Sequence, residues 1–196
     1  LRFGLGLASD FEGTNQFNVL VEYRKSWLNR LGGEWTTQAQ IGQNTYLSTE
    51  FYQPVEASGR WFIAPLASIG QQTRSVFAGD EKVADYLVKS AQVGIAGGAV
   101  LGTWGQFGVG PVWSHVKAEI DTGSLVLPEG SENTSGIRAR LFVDQMDHAF
   151  WPTNGIAAAG SAYAALDSFG STQSYQRLEG NVRWARSWGE HTIQVG

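Results

Sequence analysis

The chain has 196 residues, the size of one domain, with a formal net charge of −4 and no cysteine. That balance argues against nucleic acid as a partner, which needs a clustered basic surface, and it excludes a disulfide framework or a thiolate metal site. Aromatic residues and glycine are plentiful (8 Trp, 10 Phe, 6 Tyr, 25 Gly), charged residues make up only 16%, and the mean hydropathy is still slightly negative. This mixture suggests strands with one apolar face and one polar, mostly uncharged face. No stretch approaches the ~20 consecutive apolar residues of a membrane helix. The best run, Val93 to Leu101, is interrupted by Gly94, Gly97 and Gly98.

Period-2 alternation dominates from the start of the chain. Leu1, Phe3, Leu5 and Leu7 fall on one face, with Arg2, Gly4, Gly6 and Ala8 on the other. Phe17, Val19, Val21 and Tyr23 then oppose Asn18, Glu22 and Arg24. Trp35, Ala39 and Ile41 oppose Thr36, Gln38 and Gln40. Ile137, Ala139, Leu141 and Val143 alternate with Arg138, Arg140 and Asp144, and Leu178, Val182, Trp184 and Trp188 with Arg177, Glu179, Asn181 and Arg183. The pattern predicts ten strands near 1–11, 16–28, 34–44, 47–56, 60–74, 83–101, 105–119, 136–147, 156–169 and 174–188, with an eleventh from His191. The fold class is therefore all-β: a transmembrane antiparallel meander β-barrel of outer-membrane type.

The connections alternate in character. Asn29 to Gly33, Ala57 to Gly59, Gly102 to Gly105 and Trp188 to Glu190 read as short turns. Asp10 to Gln16, Thr73 to Lys82 and Ile120 to Ser135 read as longer polar loops. A meander sends successive connections to opposite ends, and outer-membrane barrels carry short periplasmic turns at one end and longer extracellular loops at the other. Trp27, Trp35, Trp61, Trp104, Trp151 and Trp188 all fall at the short-turn end, where an interface girdle of aromatic rings belongs. A soluble sandwich would instead carry Lys, Glu and Asp on its polar face. Arg138, Arg140, Asp144, Arg177, Glu179 and Arg183 are expected to form a charged network in the lumen, stiffening the barrel or guiding a translocating polypeptide.

The opening on Leu1 inside a strand pattern, with no Met and no basic leader, suggests numbering that starts inside a larger protein or after processing. An odd strand count and the stop at His191 to Gly196 suggest a truncated barrel, because bacterial barrels have even counts and an open edge in lipid leaves backbone groups unsatisfied.

Asp144, Asp147, Phe150, Trp151, Pro152, Thr153, Asn154 and Gly155 follow the strand of Arg138 to Val143. Pro152 fixes φ, and Asn154-Gly155 is expected to supply the positive-φ positions of a tight turn. The stretch resembles the strand-turn-strand signature of the barrel-assembly and two-partner-secretion transporter superfamily. Leu28 to Trp35, Thr49 to Pro54 and Phe62 to Pro65 look like the barrel of bacterial patatin-like phospholipases, of the bacterial surface antigen type. In those proteins a patatin domain and a linker precede a sixteen-stranded barrel. The resemblance implies that residues 1–196 are the N-terminal two-thirds of such a barrel. It also implies that the superfamily's lumen loop, with its Arg-Gly-aromatic motif, follows Gly196.

No Gly-x-Ser-x-Gly nucleophile motif occurs. His115, His148 and His191 are isolated, and no His-x-x-x-His or Glu-x-x-His spacing offers a metal site. Ser114 and His115 are adjacent, but neighbours in a strand point to opposite faces. No catalytic, cofactor or metal residue is therefore expected, and lipase chemistry would belong to an upstream domain. The expected partners are outer-membrane lipid, the remaining strands and a passenger domain. Three functions follow: a barrel that anchors, and in an autotransporter-like way exports, a patatin-like domain; a stand-alone assembly or secretion factor; and a diffusion porin.

Overall fold

The computed structural model describes residues 1–9, 15–79, 81–123 and 129–196. The strands are β1 (Arg2–Ser9), β2 (Asn15–Lys25), β3 (Glu34–Gly42), β4 (Asn44–Pro54), β5 (Trp61–Ala78), β6 (Glu81–Val100), β7 (Gly105–Gly123), β8 (Gly130–Asn133), β9 (Gly136–Asp144), β10 (Gly155–Ala165), β11 (Tyr175–Trp188) and β12 (His191–Val195), with one 3-10 turn at Asp167–Phe169. All lie in one antiparallel meander that runs from β1 to β12 in chain order, with β8 paired to β7 beside β9. Among the described residues β1 pairs only with β2 and β12 only with β11.

The two faces of the sheet differ as the alternation requires. Ile63, Ile69, Val93, Ile95, Val109 and Leu141 share one face and are exposed, along with most of the other large apolar side chains. The opposite face holds the buried residues: Phe62, Ala64, Ala96, Val112, Ala157, Tyr163 and Ala165. A soluble sandwich would bury its Ile, Val and Leu side chains and expose its polar face. Here the large apolar residues face outward as a continuous band, the inverse arrangement, which suits lipid.

The buried face is also the concave one. Arg140 on β9 contacts Glu50 on β4 at 3.2 Å, although β5, β6 and β7 lie between them in the sheet. Only a strongly curled sheet brings such side chains together. Small residues permit that curvature. Phe62 lies over Gly98 and stacks on Tyr52 with ring centroids 4.8 Å apart. A Cβ on Gly98 would stand 2.4 Å from Phe62 Cζ and 2.2 Å from the Phe107 carbonyl oxygen.

Several expectations need correction. The longer polar connections are for the most part strand. β5 continues to Ala78, β6 starts at Glu81 and β7 continues to Gly123. Residues 10–14, 80 and 124–128 of those expected loops lie outside the described residues. β8 was not predicted, because Gly130-Ser131-Glu132-Asn133 has no apolar alternation. It continues the register of β9 on β7: His115 faces Asn133 as Val112 faces Gly136. Above the membrane a strand needs no apolar face, so the period-2 signal disappears while the ladder persists. The asymmetry between the two ends is therefore carried by strand overhang. β5, β6 and β7 have 18, 20 and 19 residues, whereas ~9–11 cross a bilayer. Both register shifts fall in the overhang, at Val76/Phe77 and Asp85/Tyr86.

The Asn154-Gly155 turn is the other correction. The β9–β10 connection is ten residues long, 145–154, and Asn154 is not at positive φ. Only Gly155 is, at φ 127°, and a Cβ there would lie 2.1 Å from the Gln145 carbonyl oxygen. The glycine starts β10 where the strand passes closest to the end of β9.

Candidate functional site on the inner face

Residues 138, 140, 142 and 144 of β9 face 163, 161, 159 and 157 of β10, which in turn face 177, 179, 181 and 183 of β11. This register builds rows across the concave wall. The first row is Arg138–Tyr163–Arg177, the second Arg140–Ser161–Glu179, and the fourth Asp144–Ala157–Arg183.

The first row connects to Glu179 and Ser161 of the second, while Arg140 pairs elsewhere. The Arg138 and Arg177 guanidinium carbons lie 5.6 and 5.8 Å from the Tyr163 ring centroid, within cation–π range. Arg138 Nη1 donates to Gln92 Oε1 at 3.2 Å. Arg177 pairs with Glu179 at 3.3 Å, Ser161 donates to Glu179 at 3.3 Å, and Arg140 reaches Glu50. The Tyr163 hydroxyl donates to the Thr134 carbonyl, tying this wall to the break between β8 and β9. The lowest row stands apart. Asp144 Oδ1 accepts from the Met146 amide at 3.1 Å, and Arg183 lines a smaller cavity of about 330 Å³ with Asp144, His148 and Gln194. Of the six residues expected in a lumen network, the structure joins Arg138, Arg177 and Glu179, sets Arg140 beside them but pairs it with Glu50, and leaves Asp144 and Arg183 outside.

Glu50, Gln92 and Tyr163 are the members that sequence reading missed. Glu50 lies on the polar side of the β4 alternation, so its face was legible, but its partner across three strands was not. Two grooves meet at the Arg140–Glu50 pair. One, of about 550 Å³, has an apolar floor that includes Phe62, Ala96 and Phe142. The other, of about 540 Å³, is lined by hydroxyls and amides such as Thr36, Gln38, Ser48, Ser68 and Gln92.

The turn motif lies at the end of the same wall. Asp147 organises it: one carboxylate oxygen accepts the Thr153 amide at 2.9 Å and the other accepts the Thr153 hydroxyl. These bonds, the Thr153 hydroxyl first, hold the Asp147 carboxyl down at about 2. The Asp147 amide donates to the Asn154 carbonyl at 3.1 Å. Gln194 and Ser187 clamp the loop from the neighbouring strands, donating to the Pro152 and Thr153 carbonyls at 2.9 Å each. The loop thus holds Phe150 and Trp151 in the open, 89% and 82% exposed.

The other tryptophans expected in an interface girdle share that end of the sheet. Trp27 lies in the β2–β3 turn, Trp35 and Trp61 begin or sit at the start of β3 and β5, Trp104 lies in the β6–β7 turn, and Trp188 ends β11. All five are exposed. Trp27 has φ 58°, the one non-glycine positive φ among the described residues. Its turn is fixed by Asn29, whose Oδ1 accepts the Leu31 and Gly33 amides at 3.0 and 3.1 Å. Ser114 and His115 do point apart: His115 Nδ1 lies 2.9 Å from Asn133 Oδ1 on the outer face, while Ser114 belongs to the inner one. Among the described residues no group of His, Cys, Asp and Glu has the arrangement of a metal site.

The profile of the Omp85 superfamily domain matches residues 11–195. The sheet also superposes on the crystal structure of BamA from Haemophilus ducreyi lacking POTRA domains 1–3, with a TM-score of 0.71 at 13% sequence identity. At that identity the likeness is one of fold. The match covers 96% of this chain and 37% of that one, so the chain spans well under half of its length. No curated protein matches the chain in sequence.

Proposed function

The chain belongs to the Omp85 superfamily, and from that premise we propose that its barrel, integral to the outer membrane, passes polypeptide along its concave face. The observation that carries this is the lining of the polar groove. Thr36, Gln38, Ser48, Ser68 and Gln92 present neutral donors and acceptors that suit any peptide backbone. Charges of both signs, Arg138, Arg140, Glu34 and Glu50, flank them. Such a surface makes many weak contacts and no deep trap.

The passenger we propose is a patatin-like lipase domain on the same chain, upstream of Leu1. The support is the likeness of Leu28 to Trp35, Thr49 to Pro54 and Phe62 to Pro65 to the barrels of such lipases. On this reading the chain anchors the lipase and contributes no catalytic group itself. A Gly-x-Ser-x-Gly domain in the sequence preceding Leu1 is the expected result. Tandem periplasmic domains there would instead make the protein a stand-alone assembly or secretion factor.

Translocation is tested by placing a photo-crosslinking residue in the full-length protein at Gln92 or at Ile95. Passenger adducts are expected from Gln92, on the inner face, and not from Ile95, on the outer one. Adducts from neither position, with a large constant conductance of the reconstituted barrel, would favour a porin.

A further inference from the structure

The outer face carries a second polar feature at a fixed height. On β5 the outward residues Trp61, Ile63, Pro65, Ala67 and Ile69 form an apolar run that ends at Gln71. On β6 the run from Ala99 to Ala91 ends at Lys89, and on β7 the run from Phe107 to Trp113 gives way to His115 and then Lys117. Residues 61–69 number nine, the span a tilted strand needs to cross the hydrocarbon. The run ends on the overhang side, opposite the short turns, and short turns are periplasmic in outer-membrane barrels. Its upper edge is therefore the headgroup level of the outer leaflet.

At that edge the register aligns four polar side chains. Gln71 faces Lys89, Lys89 faces Lys117, and Lys117 faces Ser131. One step lower, His115 faces Asn133. Two lysines directly opposite each other on a sheet repel. Here both reach Glu119: Lys89 Nζ lies 2.5 Å from one carboxylate oxygen and Lys117 pairs with the other. Glu119 thus serves both ammonium groups, and Glu129 adds a second, more distant negative charge near Lys117. Both lysine side chains are about half exposed, at 49% and 52%. Trp113, two pairs closer to the hydrocarbon than Lys117, has its ring centroid 6.2 Å from that of Phe169 and supplies an aromatic base beneath the row.

We propose that the row Gln71–Lys89–Lys117–Ser131 binds the phosphate of a lipid headgroup in the outer leaflet. Lysine ammonium groups suit a phosphate as mobile point charges, and the flanking amide and hydroxyl complete a donor surface. Glu119 holds the two lysines together and competes with the lipid for them. The carboxylate is therefore a modulator, and its removal strengthens the site.

The test uses the full-length protein, folded in detergent and loaded with bis-phosphorylated lipid A or with its dephosphorylated form. Retained lipid is counted by native mass spectrometry, and heat-modifiable migration confirms that each variant is folded. The wild type is expected to retain the phosphorylated lipid in preference. Each of K89Q and K117Q lowers that retention about fivefold, near the effect of one basic residue at an anionic surface. K89R/K117R keeps it, and Glu119→Gln raises it. Equal retention of the two lipids, or retention unchanged in folded K89Q/K117Q, overturns the proposal. Displacement by inorganic phosphate that also binds lipid-free protein overturns the headgroup as the ligand. Crosslinking at Gln92 reads the translocation function separately, so the two can fail independently.

Discussion

Arg140 Nη2 lies 3.2 Å from Glu50 Oε2, joining β9 to β4 across the concave face at the point where two grooves meet. Both side chains are more than a third exposed, at 44% and 40%, so solvent screens the pair. A double-mutant cycle of Glu50→Ala and Arg140→Ala, read by urea unfolding in lipid vesicles, is expected to give a coupling of only about 0.2–1 kcal/mol that shrinks with salt. The functional effect should be larger. Removing both side chains merges the grooves, and single-channel conductance of the full-length protein should rise. An unchanged conductance would show that the pair does not divide the lumen.

Asp147 gives the β9–β10 loop a defined acid response. Its carboxyl titrates near 2 in the folded chain, below its ordinary 3.8, because the Thr153 hydroxyl and the backbone amides of the loop favour the ionised form. A depressed folded value contributes stability that is complete above about pH 4 and is lost as pH falls toward 2. Hydrogen exchange at the Thr153 amide should therefore be protected at pH 5 and lose protection below pH 3. In Asp147→Asn that pH dependence should vanish, while the β10–β11 ladder remains protected.

Phe62 packs directly over Gly98 on the inner face. Gly98→Val places a branched side chain against Phe62 Cζ and the Phe107 carbonyl. Its expected cost is at least the ~1–3 kcal/mol of core overpacking. Gly97, whose added Cβ would meet nothing within 4 Å, serves as the control. Gly97→Ala should unfold within about 1 kcal/mol of wild type, the usual scale of a glycine-to-alanine change. Equal destabilisation of the two variants would contradict the packing described.

The assignment of faces is open to a paired substitution on one strand. Ile95→Arg puts a charge on the outer face at mid-band and should cost about 2–4 kcal/mol in lipid vesicles. Gln92→Arg, on the inner face beside Arg138, should cost far less. The reverse ranking would mean that the sheet faces lipid with its concave side.

Much of this protein was legible because a membrane imposes a simple rule on a strand. Where the outer face meets hydrocarbon, residues must alternate, and β2, β3, β9 and β11 could be read off as they stand. The position of the tryptophans was legible from the turns: Trp35, Trp61, Trp104 and Trp188 flank short connections in sequence and lie exposed at one end of the hairpins. Outside the bilayer the rule lapses. Gly130 to Asn133 forms a strand with no apolar face, and the ends of β5, β6 and β7 look like loops in sequence although their ladders continue. The β9–β10 turn failed for a different reason. Asn154-Gly155 has the composition of a two-residue hairpin turn, but Asp147 organises a ten-residue loop from within, and Gln194 and Ser187 bond to it from strands further along the chain.

Sequence alone determined which face of each strand is polar, because side chains alternate with period two whatever the strand pairs with. It therefore placed Arg138, Arg140, Arg177 and Glu179 on one surface. Only the tertiary structure decided who meets whom on it. Curvature carries Arg140 past three strands to Glu50, and register sets Tyr163 between Arg138 and Arg177 while separating Asp144 and Arg183 from them. Pairing across a lumen depends on how tightly the sheet curls, and that is set by the packing of small residues such as Gly98 and Ala96 under Phe62, distant in sequence from the charges they bring together.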